Sequence, residues 1–154
     1  MAAPAMSHLI CSIALVALIL LLPGFFAVKR DNVAEEMAKA ELTEISDYAS
    51  NTLENLYLLA NSTNEDLTLT KDLVNMPITV QNSFYTLRIV SVDNVTAYRV
   101  TAFLNDKPWV ESSSWIVPGL RITVKNSIDI QTTATVEVGC ERRADNFYIW
   151  IEGE

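Results

Sequence analysis

The side chains able to do covalent or acid–base chemistry are few in this 154-residue chain and poorly spaced for it. The single histidine, His8, stands in front of an apolar run, so the rest of the sequence has no imidazole for a Ser-His or Cys-His nucleophile pair or a histidine-bearing metal site. Cys11 lies inside the apolar run and Cys140 near the C-terminal end, which leaves one thiol outside that run and no disulfide framework. Cys140 reads as a small buried apolar side chain or as a reactive thiol. Gly24, Gly119, Gly139 and Gly153 are scattered, which excludes a glycine-rich phosphate loop. Glu65 with Asp66, and Glu111 beside the serines at 112 to 114, are conceivable as acid–base pairs or a calcium loop, but neither has the ligand spacing such a site needs. These residues predict a protein that is not an enzyme and takes no cofactor, no metal and no small-molecule substrate.

Two further features bear on binding. Trp109 and Trp115 sit either side of "VESSS" and read either as an aromatic platform or as anchors pinning a long loop to the core. The triplets "NST" at Asn61 and "NVT" at Asn94 fall in expected turns and are acceptors for glycosylation if that part lies outside the cell. The net charge of −8 is spread through the chain, and only Lys29–Arg30 and Arg142–Arg143 are adjacent cations, so nucleic acid is not an expected partner.

The elements that must position these residues divide the chain in three. Leu9 to Val28 is apolar except for Ser12, Pro23 and Gly24, and as a helix spans about 30 Å, enough to cross a bilayer. Residues 1–8 carry no Lys or Arg, and cleavage after Ala27 would place Phe25 at −3, so a retained anchor is expected rather than a cleaved signal. Membrane lipid is then the partner of residues 9–28. Pro23 before Gly24 predicts a bend rather than a stop. Beyond it Ala38, Leu42, Ile45, Ala49, Leu53, Leu56 and Ala60 recur every three or four residues among charged positions, which predicts one helix continuing to about Asn61. That stripe must be buried against the chain's own sheet or against neighbouring subunits.

From Leu67 the period changes to two. Strands are expected at Leu67–Lys71, Ile78–Gln81, Phe84–Val92, Thr96–Leu104, Trp115–Val117, Leu120–Val124, Ile128–Val138 and Phe147–Glu152, with a hairpin turn at Asp93–Asn94. The expected fold is α+β: a long N-terminal transmembrane and amphipathic helix followed by an antiparallel β-sandwich-like head. The segments are 1–28 leader and apolar helix, 29–62 amphipathic extension and 63–154 head.

The order of a short leader "MAAPAMSH", an apolar helix, the extension "EEMAKAELTEISDYASNTLENLYLLANST" and a strand-rich head resembles the type IV pilin superfamily, above all archaeal pilin-like proteins. The resemblance covers roughly the first sixty residues in pattern and the remainder only in class. It implies a non-enzymatic, membrane-anchored surface protein, a structural subunit or minor pilin of an archaeal type IV pilus-like filament, with Ala5 the position at which a leader of that family would be cut if this one is processed. In such a filament the helices pack in the core and the heads form the outer layer, self-assembling with like subunits. Leu15, Leu18, Leu22, Ala38, Leu42, Ile45, Ala49, Leu53 and Leu56 would form the assembly stripe, and Asn61 and Asn94 would be surface glycosylation positions. Archaellar stator proteins are similar in layout and imply an alternative, a monomeric anchored module that binds the envelope. Lys29 and Arg30 directly after the apolar run would by the positive-inside rule keep that end cytoplasmic, whereas the triplets and the layout place the head outside, which is the orientation expected here.

Overall fold

The computed structural model describes residues 3–92, 97–116, 122–126, 130–131, 135–144 and 146–153. The chain divides into two compact units, Met1–Glu36 and Met37–Glu154. One helix, α1 (Ala3–Ser62), supplies all the regular structure of the first unit and opens the second. It is uninterrupted at Pro23, where an ordinary helix interior would lose about 3 kcal/mol. The described side chains of the first unit from Ile10 to Val28 are exposed on every face. Such an all-round apolar surface is stable in lipid or against other helices, not in water.

Among the described residues the second unit holds eight strands: β1 (Leu67–Asp72), β2 (Tyr85–Val92), β3 (Ala97–Leu104), β4 (Glu111–Ile116), β5 (Ile122–Asn126), β6 (Ile130–Gln131), β7 (Val136–Arg143) and β8 (Asn146–Gly153). They form two four-stranded sheets, in the orders β1-β7-β8-β5 and β4-β3-β2-β6. Among the described residues every strand pairing is antiparallel except β5 with β8, which is parallel. One apolar core takes residues from both sheets, among them Tyr85, Leu87, Val100, Ala102, Val138 and Ile149, and from the helix, where Ala38, Leu42, Ile45, Ala49, Leu53, Leu56 and Ala60 are all buried. The helix therefore serves as a structural wall of the β-rich head.

Where the strands depart from expectation, local chemistry explains it. Ile78–Gln81 is not a strand. Val80 and Ser83 close a tight turn with reciprocal backbone hydrogen bonds of 2.9 Å, and Gln81 and Asn82 between them have φ of 48° and 66°. Two consecutive positive φ angles are the signature of a primed two-residue turn, a conformation that Asn tolerates well and Gln poorly. The Gln81 side chain donates to Glu41 Oε1 at 2.7 Å, tying the turn to the helix. Ile128–Val138 is not one strand either: Ile130–Gln131 pairs with β2 in one sheet, and Val136 begins β7 in the other. The expected turn residues Asp93 and Asn94 lie outside the described residues, as do Val117 and Leu120, but β2 and β3 on either side of the turn pair in register from Tyr85↔Leu104 to Val92↔Ala97.

Candidate functional surfaces

The assembly stripe expected along the helix separates into two halves with different fates. Leu15, Leu18 and Leu22 are exposed, whereas Leu42, Ala49 and Leu53 are 0 % exposed and Ala38, Ile45 and Leu56 nearly so. The partner of this second half is the chain's own pair of sheets, so these six residues are not open to a neighbouring subunit. Leu15, Leu18 and Leu22 belong to the apolar segment that makes α1 a membrane-anchor candidate by length and composition.

Polar groups complete the helix–sheet seam. Ser50, itself buried, donates to Ser114 Oγ at 2.8 Å, and the hydroxyls of Thr43 and Ser112 lie 2.7 Å apart. The "VESSS" segment is thus strand rather than loop: Ser112 and Ser114 point toward the helix, and alternate residues point away. At the other end of the seam α1 carries no basic residue in its last turn. Arg142 of β7 supplies one, its Nη1 donating to the Ala60 carbonyl at 3.3 Å, where a cation meets the negative end of the helix dipole. Tyr57 and Phe147 meet in a tilted ring contact, with centroids 4.7 Å apart and planes at 57°.

Neither tryptophan pins a loop to the core. Trp109 is 68 % exposed and Trp115 is 55 % exposed. Trp109 stands in the short turn before β4, closed by the Val110 amide donating to the Lys107 carbonyl at 2.8 Å. Trp115 lies on the face of the β4-β3-β2 sheet that turns away from the core, opposite Arg99 of β3. On the same face Arg88 stands opposite Thr101, and its guanidinium lies 4.9 Å from the centroid of the Phe103 ring, a cation–π contact. The aromatic-platform reading of Trp115 thus has a geometry, and Arg88, Arg99 and Phe103 are companions that spacing alone did not reveal. Strand alternation combined with register would have found them.

The remaining candidates carry less chemistry. Burial pushes the Cys140 thiol up from 9.0 to about 11, the behaviour of an inert core cysteine. Lys125 and Arg143 hydrogen-bond the Glu141 carboxylate at 3.0 and 2.7 Å and hold it below the usual carboxylate range. A cleft of about 300 Å³ has Glu41, Glu44, Tyr48, Met76 and Pro77 among its lining residues. Among the described residues no group of three or more His, Cys, Asp and Glu is placed to hold a metal. Glu65 and Asp66 are both exposed, and Asp66 Oδ1 accepts from the Ala144 amide at 2.7 Å, which steadies the β7–β8 turn. Asn61 is exposed in the last turn of α1 rather than in a loop, and Asn94 lies outside the described residues. Comparison with protein-family models, with curated proteins and with solved structures found no match.

Proposed function

We propose that this protein is a non-enzymatic, membrane-anchored surface protein in which the apolar part of α1 carries a β-sandwich-like head outside the cell, in the manner of an archaeal pilin-like subunit or minor pilin. The observation that carries the reading is the division of the helix. Its apolar residues from Ile10 to Val28 are exposed all round, while its stripe from Ala38 to Ala60 is consumed by the head. A water-soluble protein would not keep so large an apolar surface open, and lipid or a bundle of like helices would satisfy it. In this role the head needs no neighbour to fold, and any polymer would be held together through the segment of Leu15, Leu18 and Leu22.

A second reading, a monomeric anchored module of stator type, is favoured by one specific observation: the stripe that might have recruited neighbours is already covered within the chain. Extraction in mild detergent followed by electron microscopy separates the two. The subunit reading expects filaments or assemblies containing the chain, and a preparation that stays monomeric with no filament containing it contradicts that reading in favour of the module. Protease added to intact cells tests the orientation common to both: the head is digested if it is external, and full protection overturns both.

A further inference from the structure

The cleft of about 300 Å³ lies wholly within the head, between the helix and the segment that follows β1. Glu41, Glu44 and Tyr48 recur three and four residues apart and so share one face of the helix. Asn75, Met76 and Pro77 form the other wall, and Ile45, a buried core residue, lines the cleft as well. Both walls are held in place. The hydroxyl of Tyr85, itself wholly enclosed in the core, donates to the Pro77 carbonyl at 2.7 Å. The Gln81 amide donates to Glu41 Oε1 at 2.7 Å and ties the loop to the helix, while Tyr48 and Met76 pack against the core. The cavity is therefore formed before any ligand arrives, as small-molecule sites usually are, and it stands at the low end of their range of about 300–1,000 Å³.

The chemistry of the occupant follows from the lining. Ile45, Met76, Pro77 and the Tyr48 ring offer apolar surface, and the face of an aromatic ring attracts a cation. Glu41 and Glu44 bring negative charge and hydrogen-bond acceptors to the same cavity. Between Met37 and Ser62 the helix carries Glu41, Glu44, Asp47 and Glu54 against Lys39 alone, and the whole chain has a net charge of −8, so the field at the cleft favours a positive ligand. Apolar walls with carboxylates beside them match a molecule with an apolar stem and a cationic end. An anion of the same length would meet repulsion there.

We propose that this cleft binds a small organic cation, an alkylammonium or alkylguanidinium whose stem lies on Met76 and Tyr48 and whose charged end meets Glu41 and Glu44. The inference goes beyond the anchoring role, and its test reads neither orientation nor assembly, so each can fail alone. The full-length protein in mild detergent, isotope-labelled at its methionine methyl groups for NMR, is titrated with butylguanidinium, butylammonium, valerate, guanidinium chloride and an acetyl-Gly-Arg-Gly-amide peptide. The Met76 signal, assigned by its loss in Met76→Leu, is expected to shift saturably with at least one of the butyl cations, half-maximally at about 1 mM or below. Valerate, which has the stem but the wrong charge, and guanidinium, which has the charge but no stem, are expected to bind at least about tenfold more weakly. Glu44→Gln and Asn75→Lys are each expected to weaken the butyl cations about tenfold with the head's thermal melt unchanged, since both positions are exposed. Tighter binding of the peptide would overturn the proposal by assigning the cleft to a side chain of a partner protein. No saturable shift with either butyl cation, an equal shift with valerate, or a full response by both folded variants would also overturn it.

Discussion

At Gly139 the tolerance of the core for one added methyl group can be read directly. This glycine stands opposite Trp150 in the β7–β8 register, and a Cβ placed on it would overlap the Cε2 and Cζ2 atoms of the indole ring. Trp150 is buried and its ring would have to shift, so Gly139→Ala should cost about 1–3 kcal/mol in chemical denaturation. The next residue in sequence makes a pH prediction. The folded Cys140 thiol ionises near pH 11 rather than 9, so the unfolded chain loses its proton first as pH rises. Stability from this group is whole below pH 9 and is lost as pH climbs toward 11, by roughly 2 kcal/mol. Unfolding curves of Cys140→Ala at pH 8 and pH 11 should show a correspondingly smaller loss than those of the parent chain. The burial of Cys140 was legible as a small apolar side chain, whereas the close approach of Gly139 to Trp150 was not, because a lone glycine does not announce which side chain lies across from it. The same limit hid the sheet face: Trp115 could be singled out by type, but Arg88, Arg99 and Thr101 become its neighbours only once strand register is fixed.

At the scale of elements, the helix periodicity was legible because burial on one side of a helix leaves a 3.6-residue imprint. The same imprint cannot say what covers the stripe. Here the sheets do, and the consequence is local: Leu53→Ala should cost the head about 2–5 kcal/mol, since Leu53 is wholly enclosed, whereas Leu18→Ala should leave head unfolding unchanged. Differential denaturation followed by tryptophan fluorescence distinguishes them, Trp109, Trp115 and Trp150 all lying in the head. Among strands, the alternating apolar runs Tyr85–Val92 and Ala97–Leu104 were legible, and so was most of β8. β4 was half missed, because Ser112, Ser113 and Ser114 give no apolar alternation, two of them being taken up by helix hydroxyls or the seam beside them. The parallel pairing of β5 with β8 was not legible either, since period two marks a strand without fixing its direction.

For the whole molecule, the proposed role rests on a division of labour along one helix: the exposed apolar side chains from Ile10 to Val28 make the first unit a membrane-anchor candidate, and the unit Met37–Glu154 folds around its own portion of α1. On the proposed reading, that division would let the head fold without any neighbour. It also leaves the outward sheet face and the exposed Trp109 turn free to meet other molecules. The most direct measurement is sedimentation of residues 37–154 produced without the first unit. The account predicts a soluble, cooperatively unfolding monomer in which Leu42 and Leu53 are as enclosed as in the full chain. If that fragment is instead unfolded, or folds only as an oligomer through its helix, the stripe needs partners from other chains and the account is contradicted.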